Sequence, residues 1–332
     1  MGIHLCLWLF SIITSCSSSW NGFNDEPNLR STFYNLNWMK DIPENTLVSA
    51  ISIPGTYESF SLHGGPLVRS QVWKLKDQLN VGIRYFDMHV GIWHKHKQLN
   101  IDIRDKHFMF DQNIRLDQVI EIMLDFLENS ADTVLLKVRI HWLFRSYVRK
   151  LIEQLIEKHE DKIWTMSSVP KMQEARGKII IVKSETFNVG IENRDSVLCE
   201  KKKFTFGEEK IIRLKSDICN HTIIVTACVA GLTDFPKKLA KNVNKQLLKF
   251  LVEQKYELNH NCLGVFSMNY PSPDLIKNII QLKICQCDMP GFEGETPQPT
   301  VEPGTTAELT TEINPDPTTE PGTTLNQGLQ QN

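Results

Sequence analysis

The chain has 332 residues, of which 41% are hydrophobic and 23% are charged, and its formal net charge is −2. This composition excludes a wholly disordered chain and a collagen-like fibre. The near-zero net charge gives no general attraction to nucleic acid or to an anionic membrane. The length fits one large domain or two ordinary ones.

The N-terminus predicts a secretory signal peptide over residues 1–19. An apolar stretch over residues 3–13 runs into small residues at 15–19, which offer a cleavage site, although no Lys or Arg precedes it. The stretch is too short to cross a bilayer, and no later segment is long enough. We therefore expect a secreted, extracellular protein without a transmembrane segment, and the alternative is a buried N-terminal helix.

Between residues 20 and 292, short β-branched runs alternate with segments of helical spacing. Strands are predicted at 50–54, 83–90, 133–140, 178–183, 222–228 and 263–269, and helices at 70–79, 115–128, 147–159 and 237–255. Most of these strands are continuously apolar, as parallel strands buried on both faces are. Strand–helix alternation without a Gly-x-Gly-x-x-Gly turn predicts an α/β fold, a single TIM-like (β/α) barrel, whether complete, distorted or incompletely closed.

The second half of this body contains all the cysteines outside the predicted signal peptide. They are Cys199, Cys219, Cys228, Cys262, Cys285 and Cys287. An even number in a secreted protein predicts disulfide bonds, and the sequence does not choose among the fifteen pairings. A zinc site is the rival interpretation, but zinc-type CxxC spacing is missing. Asn220 begins the only N-glycosylation sequon, so a glycan is predicted there.

Residues 293–332 have a different composition from the body. This segment carries ten Thr and six Pro, and the sequence EPGTT occurs in it twice. Such a segment has too few apolar residues to form a core, and Thr with Pro in a secreted protein is typical of O-glycosylated stalks. We predict a disordered, mucin-like tail.

In a (β/α) barrel the functional side chains lie where strands end at the carboxyl edge. The polar residues at or after the predicted strand ends, together with a histidine in the segment RDKHF, are Tyr57, Glu58, Asp87, His89, His107, Arg139, Lys183 and Asn269. They are the candidate site.

Several ordered motifs around these positions carry a family resemblance. They read WMKDIPENTLVSAISIPGTYES, QLNVGIRYFDMHV, RDKHF and VIEIMLDFLENSADTVLLKVR within residues 38–139, followed by ARGKIIIVKS at 175–184 and GVFSMNYPSPDLIKNIIQLK at 264–283. Together they resemble the X domain of phosphatidylinositol-specific phospholipases C. The resemblance is strongest to the small bacterial-type enzymes and to X-domain-only relatives in animals.

The resemblance implies a phosphodiester cleavage. In the family, one His takes a proton from the inositol 2-hydroxyl, which attacks the phosphorus, and a second His protonates the leaving diacylglycerol oxygen. A carboxylate orients the first His, and an Arg with its Asp partner, or a calcium ion, balances the phosphate charge. Family members show these groups as PGTHDS, a DxR strand, an HG turn and a last strand ending in Asp.

This sequence departs from the family pattern at most of these positions. Tyr57 stands at the position of the base, His89 at that of the DxR arginine, and Asn269 at that of the orienting Asp. A phenol has a pKa of about 10 and is a poor base at neutral pH. His107 matches the general acid, but Phe108 follows it where the family has Gly.

Three functions remain open. The first is a secreted pseudoenzyme, or very weak enzyme, that binds a phosphoinositide or another phospho-headgroup, or an extracellular protein. We expect such substrate contacts at Glu58, Asp87, His89, Arg139 and Lys183. The second is an active phosphodiesterase that uses His107. It acts either with a divalent metal held by Glu58, Asp87 and His89 or without a cofactor. In the version without a metal, Glu58 and His89 simply replace the family's Asp–Arg pair. The third is an adhesion head on a glycosylated stalk.

Overall fold

A parallel β-sheet forms the centre of the computed structural model, which describes residues 21–93, 101–200, 203–229, 235–254, 262–282, 284, 285 and 287. The strands in chain order are β1 (Ile53–Thr56), β2 (Tyr85–Gly91), β3 (Asp102–Arg104), β4 (Asp111–Arg115), β5 (Val134–Ile140), β6 (Ile163–Trp164), β7 (Ile179–Val182), β8 (Asn193–Val197), β9 (Cys199–Glu200), β10 (Lys203–Phe204), β11 (Ile223–Ala227) and β12 (Val265–Met268). Eight of them form a curled sheet in the order β6-β7-β5-β2-β1-β12-β11-β8, with every neighbouring pair parallel. The six strands predicted from the sequence all belong to it, although the one predicted at 50–54 begins three residues later, because Val48–Ala50 forms a 3₁₀ turn.

Helices connect these strands. They are α1 (Leu75–Val81), α2 (Leu116–Glu128), α3 (Arg145–Lys158), α4 (Met172–Ala175), α5 (Glu208–Cys219), α6 (Pro236–Gln254) and α7 (Pro273–Ile280), with 3₁₀ turns at Ser31–Phe33 and Val48–Ala50. The four predicted helices are confirmed, although α1 begins five residues later than expected. Ser70 and Gln71 instead donate their backbone N–H groups to the carbonyl of Ser61, which makes that stretch a loop.

Alternation along the strands separates two kinds of core. One set of side chains points between the sheet and the helices, where the apolar stripe of α2 packs through Leu116, Val119 and Met123. The other set points into the barrel interior, where its lower layers are apolar, as at Ile53 and Leu135. The continuously apolar strands of the sequence therefore have the two-sided burial that the prediction required.

The two edge strands β6 and β8 are not paired with each other in the described residues. A single bridge between Val182 and Ile191, just before β8, joins β7 to that side of the sheet. Gly190 allows this approach, because a Cβ there would lie 2.1 Å from the carbonyl oxygen of Ile181 and the residue has a φ of +93°. The barrel is thus closed by a bridge rather than by a full strand pair.

A hairpin that the sequence did not indicate extends the sheet beside β2. Strand β3 pairs antiparallel with β2 and with β4, and the turn between β3 and β4 carries His107. The carboxylate of Asp105 organises this turn, since it accepts hydrogen bonds from the backbone N–H groups of His107 and Phe110. Short polar strands of this kind lack the apolar run that made the others visible.

The six cysteines form three disulfides, Cys199–Cys228, Cys219–Cys287 and Cys262–Cys285. Disulfide bonding is confirmed, and the structure selects one of the fifteen pairings. Asn220 is exposed at the end of α5, where a glycan would be accessible. The predicted signal peptide and the predicted mucin-like tail lie outside the described residues. No helix of the described part is long and apolar enough to cross a membrane.

Candidate functional site

The candidate residues converge at the carboxyl edge of the central strands. Tyr57 and Glu58 follow β1, and Asn269 follows the neighbouring β12. Asp87 and His89 lie on β2, the other neighbour of β1, and His89 is level with Arg139 of β5. Because parallel strands end together at one edge, these residues, although distant in the chain, surround one opening at the carboxyl edge of the barrel, which we call the mouth.

An ion pair between Asp87 and Arg139 occupies the centre of this mouth. Nη1 of Arg139 donates directly to Oδ1 of Asp87, which is almost fully buried. Burial by itself lowers the pKa of Arg139, but the adjoining carboxylate outweighs it and raises that pKa. The sequence indicated that replacing the DxR arginine by His89 removes the fixed guanidinium. The structure corrects this, because Arg139 on β5 supplies a guanidinium that pairs with the carboxylate of Asp87 on β2.

Glu58 and His89 face each other beside that ion pair. Oε1 of Glu58 lies 3.8 Å from Nε2 of His89, and its Oε2 accepts a hydrogen bond from Ser61. Burial raises the pKa of Glu58 to about 7, although Lys106 opposes the shift, and Oε1 is buried without a hydrogen-bond partner. Burial, followed by the nearby Arg139, lowers the pKa of His89 well below its usual value. At neutral pH the histidine is therefore uncharged, and the glutamate is close to half ionised.

Tyr57 and Asn269 occupy the base side of the mouth. The backbone N–H of Tyr57 bonds to the carbonyl of Met268, which holds it against the end of β12. Burial, with help from the charges of Glu58 and Asp87, raises the pKa of the Tyr57 phenol above its usual value. Oδ1 of Asn269 is buried and has no hydrogen-bond partner. The pair therefore offers a neutral phenol and an orphaned amide oxygen, neither of which accepts a proton readily.

His107 lies exposed on the β3–β4 turn. The following Phe108 has a φ of +63°, the left-handed conformation that a glycine adopts without strain, at the position where the family has Gly. Its buried ring lies 5.4 Å from the ring of Trp93 and 4.5 Å from that of His141, which in turn lies 5.3 Å from His89. A continuous column of rings thus connects the turn with the mouth.

A buried lysine escaped the sequence reasoning. Lys137 is fully buried on β5, level with Asp87, and its Nζ lies 3.1 Å from Oδ1 of Asp195 on β8. The signal was a charged residue inside the apolar run VLLKVRI, where the sequence alone could not supply the partner. Lys183, which the sequence predicts as a substrate contact, follows β7 and pairs with the exposed Glu192.

Glu58, Asp87 and His89 do not form a ligand set for a metal. In the described part of the chain, the only group of three metal-ligating side chains with ligand atoms within 4.8 Å of one another is Cys219, Cys285 and Cys287. Those three sulfurs are already bonded in disulfides. Asp87 is taken up by the guanidinium of Arg139, whose charge repels a cation at that place. The residues present therefore do not fit the divalent ion that the sequence left open.

Comparison with known proteins identifies the fold of this site. Residues 59–185 match the family model described as the phosphatidylinositol-specific phospholipase C, X domain. The chain is 25% identical over 279 residues to 1-phosphatidylinositol phosphodiesterase of Listeria monocytogenes, across 74% of this chain and 84% of that protein. The chain is a relative of the bacterial phosphatidylinositol-specific phospholipases C.

The solved structures of these phospholipases show the same architecture. The Listeria monocytogenes enzyme superimposes with a TM-score of 0.60 and 22% identity, covering 74% of this chain and 98% of that one. A Staphylococcus aureus phospholipase C of the same specificity gives 0.55 and 16% identity, covering 74% and 97%. The family resemblance and the barrel fold predicted from the sequence are confirmed. The X-domain match includes Asp87, His89, His107 and Arg139 but stops short of Asn269.

Proposed function

We propose that this protein is a secreted binder of a phosphorylated lipid headgroup, with phosphatidylinositol as the leading candidate, and that it has lost the family's turnover. The observation that carries the proposal is the combination at the mouth of a fixed guanidinium, Arg139, with a neutral Tyr57 at the position of the base. The names of its relatives support the headgroup: one is a 1-phosphatidylinositol phosphodiesterase, and the others are phosphatidylinositol-specific phospholipases.

Headgroup binding follows from the charges that the mouth retains. Arg139 is held by Asp87 but is still partly exposed, so a phosphate oxygen can reach the guanidinium edge that faces solvent. Lys137 and Asp195 lie on the same side of the interior and offer a donor and an acceptor for hydroxyl groups. A ring of hydroxyls carrying one phosphate matches this distribution of polar groups.

Loss of turnover follows from the missing base. General-base catalysis contributes typically 10²–10⁴-fold, and Tyr57 is protonated at neutral pH because burial disfavours its phenolate. Even a histidine at that position would lack its orienting carboxylate, since Asn269 is neutral. The two substitutions act on the same proton transfer, so we expect their effects to be less than additive.

Binding is tested by the thermal stability of purified protein with inositol phosphate at millimolar concentration. We expect a rise in melting temperature that Arg139→Met abolishes, because a ligand that binds only the folded protein stabilises it by an amount that grows with the ratio of ligand concentration to Kd. The control is Lys158→Met, since that exposed lysine lies in the last turn of α3, which leads away from the carboxyl edge of the strands. No shift for the wild type would contradict headgroup binding and would favour the adhesion head on a glycosylated stalk.

Residual phosphodiesterase activity is a second candidate, favoured by Glu58. Its carboxyl group has a pKa of about 7, and its Oε1 is free of hydrogen bonds. A carboxylate with that pKa is suited to accept a proton at neutral pH. In this role Glu58 replaces the family's base, while His107 on the facing turn protonates the leaving oxygen.

The two candidates are separated by a sensitive assay with phosphatidylinositol and lysophospholipids, with and without divalent metal. Turnover that disappears in both His107→Ala and Glu58→Gln would establish the second candidate and refute the pseudoenzyme. Turnover that requires added metal would contradict the geometry of the Asp87–Arg139 pair. If the wild type is inactive, we expect Tyr57→His combined with Asn269→Asp to raise activity above either single variant, because that pair restores the base and its orienting group.

A further inference from the structure

A row of lysines runs along the outer face of α6. Its members are exposed and follow one another every fourth residue, and we call them the lysine row: Lys237, Lys241, Lys245 and Lys249. Leu239, Val243 and Leu247 lie on the opposite face of the helix and are buried in the core. Side chains four residues apart lie one above the other on a helix, and twelve residues rise by about 18 Å. The lysine row is therefore a straight line of positive charge on the surface of the barrel.

The charge of α6 has one sign over almost its whole length. Residues 236–252 include five lysines and no acidic residue, although the chain as a whole has a formal net charge of −2. The helix α3 differs, because its cations alternate with Glu153 and Glu157. Like charges four residues apart disfavour a helix, so the lysine row does not serve the stability of α6 itself. Such a concentration of one charge on one face indicates a binding surface for an anionic partner.

The middle of the lysine row is available to such a partner. Carboxylates pair with the lysines at its two ends, Lys237 with Asp25 at 2.8 Å and Lys249 with Glu253 at 3.7 Å. Lys241 lies over the ring of Phe23, with its Nζ 5.1 Å from the ring centroid. Within the described residues, no carboxylate forms an ion pair with Lys241 or Lys245. An external anion therefore meets two ammonium groups that it need not take from an internal partner.

A cavity of about 500 Å³ lies at the amino end of the lysine row. Its charged lining consists of four cations and one carboxylate: Lys237, Lys238, Lys241, Arg69 and Asp25. Arg69 comes from the connection between β1 and α1, so two separate elements bring these cations together. Phe235, which is 47% exposed, adds a ring to the lining. Cations beside an accessible aromatic ring suit a sugar unit, whose anionic substituents contact the cations while its apolar face packs on the ring.

The direction of the lysine row favours a linear polyanion over a membrane. Helix α6 follows β11 and precedes β12, so it runs from the carboxyl edge of the barrel to the amino edge, and the row leads away from the mouth. A membrane facing the mouth would reach only the first turn of α6, whereas a flexible chain of anionic units can follow the whole row.

The compartment narrows the class of polyanion. Clustered lysines bind nucleic acids or heparin-type polysaccharides. The three disulfides are typical of proteins in oxidising, extracellular surroundings, where the abundant linear polyanions are sulfated polysaccharides. We propose that the lysine row and the cavity at its amino end bind a sulfated polysaccharide chain. This site is separate from the headgroup site at the mouth and requires no binding there.

The test is fluorescence anisotropy of a labelled heparin oligosaccharide titrated with the purified full chain at several salt concentrations. The variant is Lys241→Gln with Lys245→Gln, which removes the two cations at the middle of the row. The matched control is Lys150→Gln with Lys158→Gln, which removes the same charge from exposed positions of α3. Gln and Lys have similar helix propensities, so neither pair of substitutions is expected to disturb its helix.

We expect the α6 variant to bind heparin about tenfold more weakly at physiological salt, and the slope of log affinity against log salt concentration to become shallower by roughly 1–2, because two lysines no longer displace counterions. The α3 control is expected to bind as the wild type does. Melting curves with inositol phosphate keep this result apart from headgroup recognition, since both variants retain any shift that the wild type shows.

Three results would overturn the proposal. A wild type that does not bind heparin would remove the site altogether. An equal loss of affinity in the α6 variant and in the α3 control would show that only net charge matters. A single-stranded oligonucleotide of equal charge that competes as well as unlabelled heparin would assign the lysine row to polyanions in general rather than to a sulfated polysaccharide.

Discussion

Replacing Glu58 by Gln tests the electrostatics of the mouth without changing its shape. The substitution keeps the volume of the side chain and an oxygen that can accept the hydrogen bond from Ser61, but removes the ionisable group. Burial raises the pKa of Glu58 from 4.5 to about 7. The unfolded chain therefore releases this proton at lower pH than the folded protein does.

The sign and size of the effect follow from linkage. Between the two pKa values the unfolded state binds fewer protons, so Glu58 makes the folded protein less stable as the pH rises from about 4.5 to about 7. A shift of this size corresponds to about 3 kcal/mol when complete, of which roughly 2 kcal/mol develops between pH 5 and pH 8. The Gln variant lacks this loss. We therefore expect its free energy of unfolding, relative to the wild type, to increase by roughly 2 kcal/mol over that interval.

The measurement is urea unfolding of both proteins at pH 5 and pH 8 with the disulfides intact. Other titrating groups cancel in the difference between the two proteins as long as their own pKa values are unchanged. Glu192→Gln is the control, because this exposed carboxylate pairs with Lys183 at the rim, where solvent screens its charge. A difference between wild type and Glu58→Gln that stays constant from pH 5 to pH 8 would refute the assignment of a buried carboxyl group with a raised pKa at this site.

Three further predictions concern stability. Arg84→Met should cost about 3–5 kcal/mol in urea unfolding, because it leaves the buried carboxylate of Asp132 without its ion-pair partner. Removing the Cys199–Cys228 disulfide by a double Ser substitution should cost about 3 kcal/mol, since it frees a loop of 29 residues in the unfolded chain; an unchanged midpoint would contradict this. Gly190→Ala should destabilise the protein by roughly 1–3 kcal/mol, because the new Cβ collides with the carbonyl of Ile181. A Gly177→Ala control, which also has a positive φ but meets nothing within 4 Å, separates the collision from backbone strain.

The departures from the family motifs were visible in the sequence because they fall inside short ordered motifs. Tyr57, His89 and Asn269 are recognised by their neighbours along the chain, and the structure places each at the mouth where the motif implies. The structure changes the interpretation of one of them. From the sequence, His89 at the position of the family's arginine indicated that the site had lost a positive charge. In the structure the adjacent strand β5 supplies Arg139, so the site retains a guanidinium beside Asp87.

The sequence by itself determined the strand–helix alternation, the parallel barrel and the relation to the phospholipases, because apolar periodicity and motif order are properties of neighbouring residues. Only the tertiary structure decided which side chains meet across the sheet. Asp87 and Arg139 lie 52 residues apart, and Lys137 and Asp195 lie 58 apart. Such contacts depend on strand order and register, which are set by packing over the whole core and leave no local trace in the chain. The choice of disulfide partners was decided in the same way.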